Sequence, residues 1–310
     1  MRNTFPAYAN AEMIRRVAVV SFLSLFGVLR VNGVQEVDRV VEYQKRFGNS
    51  WPPESWDTSP GWSEWVSQEE SKLEKISNRD ERWFSWLNLI QSMAVPKISD
   101  LGFELVDVPE HIYKELRELA LNKPLESIPF EREVDRAGIE PQPRFLDTTE
   151  QNDKILGELQ KLHEEWAGMS LTLSRAYGLR FYLNESTLVW HLDKLETHVV
   201  SGILHIASDP DQETAPWPLE IVGHDGKEHK IILKPGQLLF YESAKLSHGR
   251  PSTFNGNWYT SVFLHYRPKL WAMRREDLTF MVPPHWVDGR NLNPHADANA
   301  KISPEVHDSL

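Results

Sequence analysis

Between Gly178 and Tyr266 the chain carries seven short runs rich in β-branched, aromatic and aliphatic residues: LRFYLN, TLVWH, THVVSGILHI, PLEIVG, HKIILK, GQLLFYES and NWYTSVFLHY. Each is bounded by Gly, Pro, Asn or Asp, and no helix-length period separates one from the next. Strands this short cannot hide an apolar face alone, so they must pack sheet against sheet. The pattern predicts a mostly β fold, a sandwich or jelly roll, with flanking helices on one sheet.

The helices are expected ahead of that region. After a short strand FELV from Phe103, Asp107-Val108-Pro109 marks a helix start, with Ile112, Leu116 and Leu119 on one face. A second amphipathic helix carries Ile155, Leu159, Leu162 and Trp166 at helical spacing. Further upstream, residues 49 to 90 hold six of the twelve Trp, at 51, 56, 62, 65, 83 and 86. Indoles in such number are expected to dock on the following domain, because each hides a large apolar area. The alternative is an exposed aromatic platform.

The apolar stretch Val17 to Leu29 follows Arg15-Arg16 and is shorter than the about 20 residues a membrane-crossing helix needs. It reads as the h-region of a secretory signal peptide or signal anchor, with an organelle transit segment or a buried helix as the alternatives. Secretory localisation and membrane contact through this segment are the matching expectations; without it the cytoplasm is expected. The expected organisation is thus a targeting segment over 1–35, a Trp-rich helical extension over 36–100, one catalytic domain over 101–270 and an irregular tail over 271–310.

Composition narrows the chemistry. With a formal charge of −11 and no cluster of Lys and Arg, a nucleic-acid partner held through phosphates is not expected. The absence of Cys excludes disulfides, thiol nucleophiles, Cys-type zinc sites and iron–sulfur clusters. What remains is His and carboxylate chemistry. His191-Leu192-Asp193 closes the run TLVWH, and residues i and i+2 of a strand project from one face, so this imidazole and carboxylate can grip one ion. His248, in the turn LSHGRP behind GQLLFYES, supplies a third ligand. Two His and one carboxylate leave coordination positions open, as non-haem Fe(II) oxygenases require. A second triplet, His295-Ala296-Asp297, lies in a tail without strand pattern and is read as chance.

From about Phe103 to Pro268 the chain resembles the iron- and 2-oxoglutarate-dependent dioxygenases, and within them the prolyl 4-hydroxylase-type group. The resemblance is carried by RFYLNESTLVWHLD, THVVSGILHI, KPGQLLFYES and HGRPSTFNGNWYTSVFLHY. It implies a double-stranded β-helix core, with N-terminal helices packed on the larger sheet and Fe(II) held by His191, Asp193 and His248, which are also the catalytic residues. It further implies 2-oxoglutarate as co-substrate and O2 as oxidant, yielding succinate, CO2 and a hydroxylated substrate. The implied substrate is a prolyl or other side chain of a peptide or protein in preference to a metabolite.

The family places a Lys or Arg about ten residues after the distal His to pair with the far carboxylate of 2-oxoglutarate; here that position is Trp258. Arg250 is the nearest cation and shares a face with His248 if the segment is extended, the other reading being a surface residue in a turn before Pro251. His205, inward-facing by the resemblance, and Tyr182, which matches the family's co-substrate tyrosine, complete the expected co-substrate site. His224 and His229 flank the turn HDGKEH and are expected to be solvated. Two rival readings are a small-molecule oxygenase of the same fold and a non-catalytic, cupin-like binding module.

Overall fold

A computed structural model describes residues 39–48, 53, 56–132 and 138–281. The stretch Val17 to Leu29, the triplet at 295–297 and the part of the 271–310 tail beyond 281 lie outside these. The elements in chain order are α1 (Arg39–Phe47), α2 (Pro60–Leu73), α3 (Arg79–Ala94), β1 (Phe103–Asp107), α4 (Glu110–Leu121), β2 (Ile139–Glu140), β3 (Arg144–Phe145), α5 (Thr149–Ala167), β4 (Leu171–Leu183), β5 (Thr187–His191), β6 (Val200–Asp209), β7 (Leu219–Val222), β8 (Glu228–Ile231), β9 (Gln237–Tyr241), β10 (His248–Arg250), β11 (Trp258–Pro268) and α6 (Arg275–Leu278).

The strands form two antiparallel sheets, a six-stranded one in the order β1-β9-β6-β11-β4-β3 and a five-stranded one in the order β2-β5-β10-β7-β8. This is a jelly-roll sandwich with flanking helices. Alternation along each strand sends its side chains into two separate cores. From β11, Tyr259 and Phe263 face the space between the sheets, whereas Val262, Leu264 and Tyr266 face the helices. Ile112, Leu116 and Ala120 of α4, with Ile155, Leu156 and Leu159 of α5, fill that second core. Burying each large aliphatic side chain there stabilises the fold by about 1.5–3 kcal/mol. Helix α5 stops at Gly168, whose φ of 65° is the left-handed cap conformation that favours glycine.

The Trp-rich segment docks as expected. Pro60 opens α2 at a position where its missing N–H costs nothing, and Asn78 caps α3 by accepting a hydrogen bond from the Glu81 amide. Trp62 and Trp86 are buried in the inter-sheet core with Leu219, Leu239 and Tyr241, while Trp56, Trp65 and Trp83 pack on its margin. Trp62 meets His224 edge-on at 5.6 Å, and Lys245 lies 4.9 Å over its ring. Among the described residues no helix is long and apolar enough to cross a membrane.

The strand readings hold at TLVWH and shift elsewhere. Strand β4 begins at Leu171, eight residues ahead of LRFYLN, because Thr172, Ser174 and Arg175 break the apolar pattern on a stretch that is only half buried. Strand β10 is a three-residue piece recognisable only from its pairing with β5 and β7. His224 is not solvated; it is buried and its Nε2 lies 2.9 Å from Glu242 Oε2, since α2 covers the turn that carries it. His229 is half buried beside Asp225 at 3.0 Å.

Candidate active site

The antiparallel pairing of β5 with β10 sets His191 directly opposite His248, and their rings lie 4.3 Å apart. Each imidazole is oriented by the carbonyl two residues behind it: His191 Nδ1 donates to Val189 O and His248 Nδ1 to Leu246 O, both at 2.9 Å. A carbonyl can only accept, so the proton sits on Nδ1 and Nε2 keeps its lone pair for a ligand. Asp193 follows in the loop after β5, and its Oδ1 lies 3.6 Å from His191 Nε2 and 3.9 Å from His248 Nε2. Within the described residues these three are the group whose donor atoms converge closely enough to hold one metal ion.

The electrostatics suit a divalent cation. Burial pushes the His248 pKa down to about 4, with the neighbouring His191 adding to the effect, so its imidazole is neutral at neutral pH. Burial works to raise the Asp193 carboxyl, but the facing His191, His248, His265 and His198 outweigh it and hold the group ionised. Asp193 divides its oxygens: Oδ1 faces the two imidazoles, while Oδ2 lies 3.4 Å from the Tyr241 hydroxyl and 3.9 Å from His265 Nδ1. A donor chain stands behind His265. Ser243 Oγ donates to His198 O at 2.7 Å, which leaves it to accept from Ser201 at 2.6 Å, and Ser201 in turn accepts from His265 Nδ1 at 2.7 Å. His198 stacks on His265 at 3.7 Å from the loop before β6, not from the strand itself.

The triad opens into a cavity lined also by Leu188, Tyr182, Ile203, Leu219, Tyr241, Phe263 and two arginines, Arg180 and Arg250. The two guanidiniums differ in what balances them. Arg180 forms a buried two-point ion pair with Glu131, Nε to Oε2 at 2.6 Å and Nη2 to Oε1 at 2.5 Å. Arg250 is 3% exposed and donates to the Trp217 carbonyl and, at 3.0 Å, to the Tyr259 hydroxyl; both are neutral. Its guanidinium also lies 4.5 Å from the Trp217 ring and 4.7 Å from the Tyr259 ring. The surface-turn reading of Arg250 is therefore overturned, because β10 stays extended and carries the side chain inward.

The remaining sequence-derived positions separate. Tyr182 lines the cavity, its ring 5.0 Å from Trp217. His205 is fully buried but stands behind Tyr259, parallel to its ring at 4.1 Å and outside the cavity lining, with Nδ1 3.1 Å from Thr260 O. Trp258 points to the helix-side core, where it meets Phe181 at 5.6 Å; the residue of β11 that turns inward at this level is Tyr259. Sequence reasoning missed Tyr177, Arg180, Glu131, Tyr241 and His265. Alternation from Tyr259 through Ser261 and Phe263 gives His265 the same face, a signal present in the sequence.

No protein-family model matches the chain, and no curated protein matches it. Among solved structures the chain is similar to a Pseudomonas putida prolyl-4-hydroxylase, at 18% identity over 59% of this chain and 99% of that one, with a TM-score of 0.43. It is also similar to a Trichoplax adhaerens prolyl hydroxylase in complex with a hypoxia inducible factor peptide fragment, at 13% identity over 60% and 93% of the two chains and a TM-score of 0.43. A third is HygX from Streptomyces hygroscopicus with nickel, 2-oxoglutarate and hygromycin B bound, at 12% identity over 56% and 85% and a TM-score of 0.41.

Proposed function

We propose that this chain is an Fe(II)- and 2-oxoglutarate-dependent hydroxylase acting on a prolyl or other side chain of a peptide or protein. The observation that carries the reading is the convergence of His191 Nε2, Asp193 Oδ1 and His248 Nε2, with a buried guanidinium two residues along the same strand whose hydrogen-bond partners among the described residues are neutral. Two strand residues span about 7 Å, a length that a five-carbon diacid bridges. The triad would hold Fe(II) through three protein ligands, few enough to leave positions for co-substrate and oxidant. With iron held by these residues, the site would supply O2 activation coupled to the oxidative decarboxylation of 2-oxoglutarate.

The protein's own groups do the positioning. Arg250, held in place by the Tyr259 hydroxyl and the Trp217 carbonyl, receives the distal carboxylate of 2-oxoglutarate, a charge-assisted contact strengthened by burial. Tyr182 lines the cavity near that end, with the Trp217 ring packed behind it. Tyr241 donates to the second oxygen of Asp193 at 3.4 Å, with the His265 ring beside it, so that the other oxygen faces the metal position. The peptide reading rests on the resemblance to prolyl hydroxylases in the motifs at 180–193 and 234–266. Trp62 and Trp86 of the extension are buried and so are not part of an exposed aromatic groove.

The test is to incubate the iron-loaded protein with 2-oxoglutarate and either proline-rich peptide pools or a metabolite extract. Succinate formation matched by a gain of one oxygen on a peptide is the expected result. Oxidation confined to the extract would refute the peptide assignment, and no 2-oxoglutarate turnover with either would refute the hydroxylase.

A further inference from the structure

Helix α3 belongs to the Trp-rich extension, yet one of its side chains reaches the loop that carries the carboxylate of the triad. Gln91 is buried, and its amide nitrogen donates to Asp193 O and to Ala244 O, both at 2.9 Å. Those two carbonyls sit in the loops after β5 and after β9, which are already joined where the Asp193 amide donates to Ser243 O at 2.9 Å. The other end of the Gln91 amide is fixed as well. Arg275 at the start of α6 donates through Nη1 to Gln91 Oε1 at 3.1 Å and through Nη2 to Asn88 Oδ1 at 2.8 Å, while its own amide donates to Glu196 Oε1 at 2.9 Å. An amide oxygen can only accept and its nitrogen only donate, so these partners fix which way the Gln91 head group points.

We propose that Gln91 is a positioning residue for the metal centre, which makes the helical extension part of the active site and not an appendage to it. The proposal rests on the metal reading of His191, Asp193 and His248. Outside β5 the peptide plane of Asp193 has no ladder to hold it, and rotation of that plane swings the carboxylate away from the two imidazoles. Gln91 clamps the carbonyl of that plane, the Asp193 amide is held by Ser243, and Arg275 locks the clamp from the far side. Groups that orient a metal ligand without touching the ion typically change metal affinity by about 10–100-fold when removed.

The test is a titration of the full-length apo protein with Co(II) under anaerobic conditions, following affinity and the d–d absorption spectrum, beside the thermal midpoint of the apo protein. Gln91→Met keeps the volume and loses both donors; Gln91→Glu loses the donors but keeps an acceptor for Arg275. Both are expected to weaken Co(II) binding about 10–100-fold and to alter the d–d spectrum. Arg275→Met leaves both carbonyl contacts in place and is expected to weaken binding less, in the same direction; it carries the test if the Gln91 variants do not fold. Affinity and spectrum within twofold of the unsubstituted protein in the folded variants, whatever their thermal midpoints, would overturn the proposal. If the unsubstituted protein itself binds no Co(II), it is the metal reading that fails.

Discussion

A buried guanidinium whose hydrogen-bond partners among the described residues are all neutral pays a desolvation cost that an arriving anion relieves, and this sets Arg250 apart from Arg180 in the same cavity. The distinction lies in tertiary partners and so was only half visible in the chain. The i, i+2 relation of His248 and Arg250 was legible, whereas the inward course of β10 was not, because a three-residue strand before Pro251 has no pattern of its own. The convergence of His191, Asp193 and His248 was legible in the His-x-Asp spacing and one further His, although Asp193 lies past the end of β5 and is placed by its loop. The Trp258 position misled for a steric reason: counting ten residues from His248 lands on the outer face of β11, and the inward residue is its neighbour Tyr259. Tyr259→Phe removes one neutral hydrogen bond to Arg250 and is expected to raise the 2-oxoglutarate dissociation constant about fivefold, near 1 kcal/mol. His205→Ala leaves the cavity lining unchanged and is expected to act by less than that. Equilibrium binding to the Fe(II) protein checks both, and a larger effect for His205 would reverse the order argued here.

At the scale of elements, α5 against β6, β9 and β11 shows what periodicity reveals and what it omits. The apolar stripe of Ile155, Leu159 and Leu162 announced the helix, and the structure adds His163 to its buried face. That imidazole packs on Phe240 at 4.6 Å and Tyr266 at 4.2 Å, with Nδ1 2.8 Å from Leu159 O. It fits because Gly202 of β6 has no Cβ; one built there would come within 2.7 Å of His163 Nε2. A polar side chain on an apolar stripe has no sequence signal that separates burial from exposure, which is why periodicity passed over it. Burial pushes the His163 pKa down to about 4. Since this lies below the ordinary value near 6.5, the unfolded chain takes up the proton first. The resulting stability is fully present above about pH 6.5 and is lost as pH falls toward 4, by on the order of 2–3 kcal/mol. His163→Phe is therefore expected to flatten the fall in urea midpoint between pH 7 and pH 5, and an unchanged pH profile would contradict the assignment.

Over the whole molecule, one inter-sheet core takes in residues from Trp62 in the extension to Leu278 in α6, with the cavity at its centre. The sandwich class was legible because seven runs with turn residues between them leave few alternatives. The merging of the extension with the barrel core was not, because Trp62 and Trp86 meet strands more than a hundred residues downstream and no local pattern records such a meeting. The central claim is that one cavity holds Fe(II) at His191, Asp193 and His248 and the far carboxylate of 2-oxoglutarate at Arg250. Anaerobic titration of the Fe(II) protein with 2-oxoglutarate, followed by the visible charge-transfer band of the chelate, tests it most directly. The band is expected to saturate with one equivalent in the unsubstituted protein. In Arg250→Ala it is expected to require 2-oxoglutarate raised by about two orders of magnitude, with iron still bound, as loss of a buried charge partner costs roughly 2–5 kcal/mol. No band in the unsubstituted protein, or equal affinity in the Arg250→Ala protein, would contradict the claim.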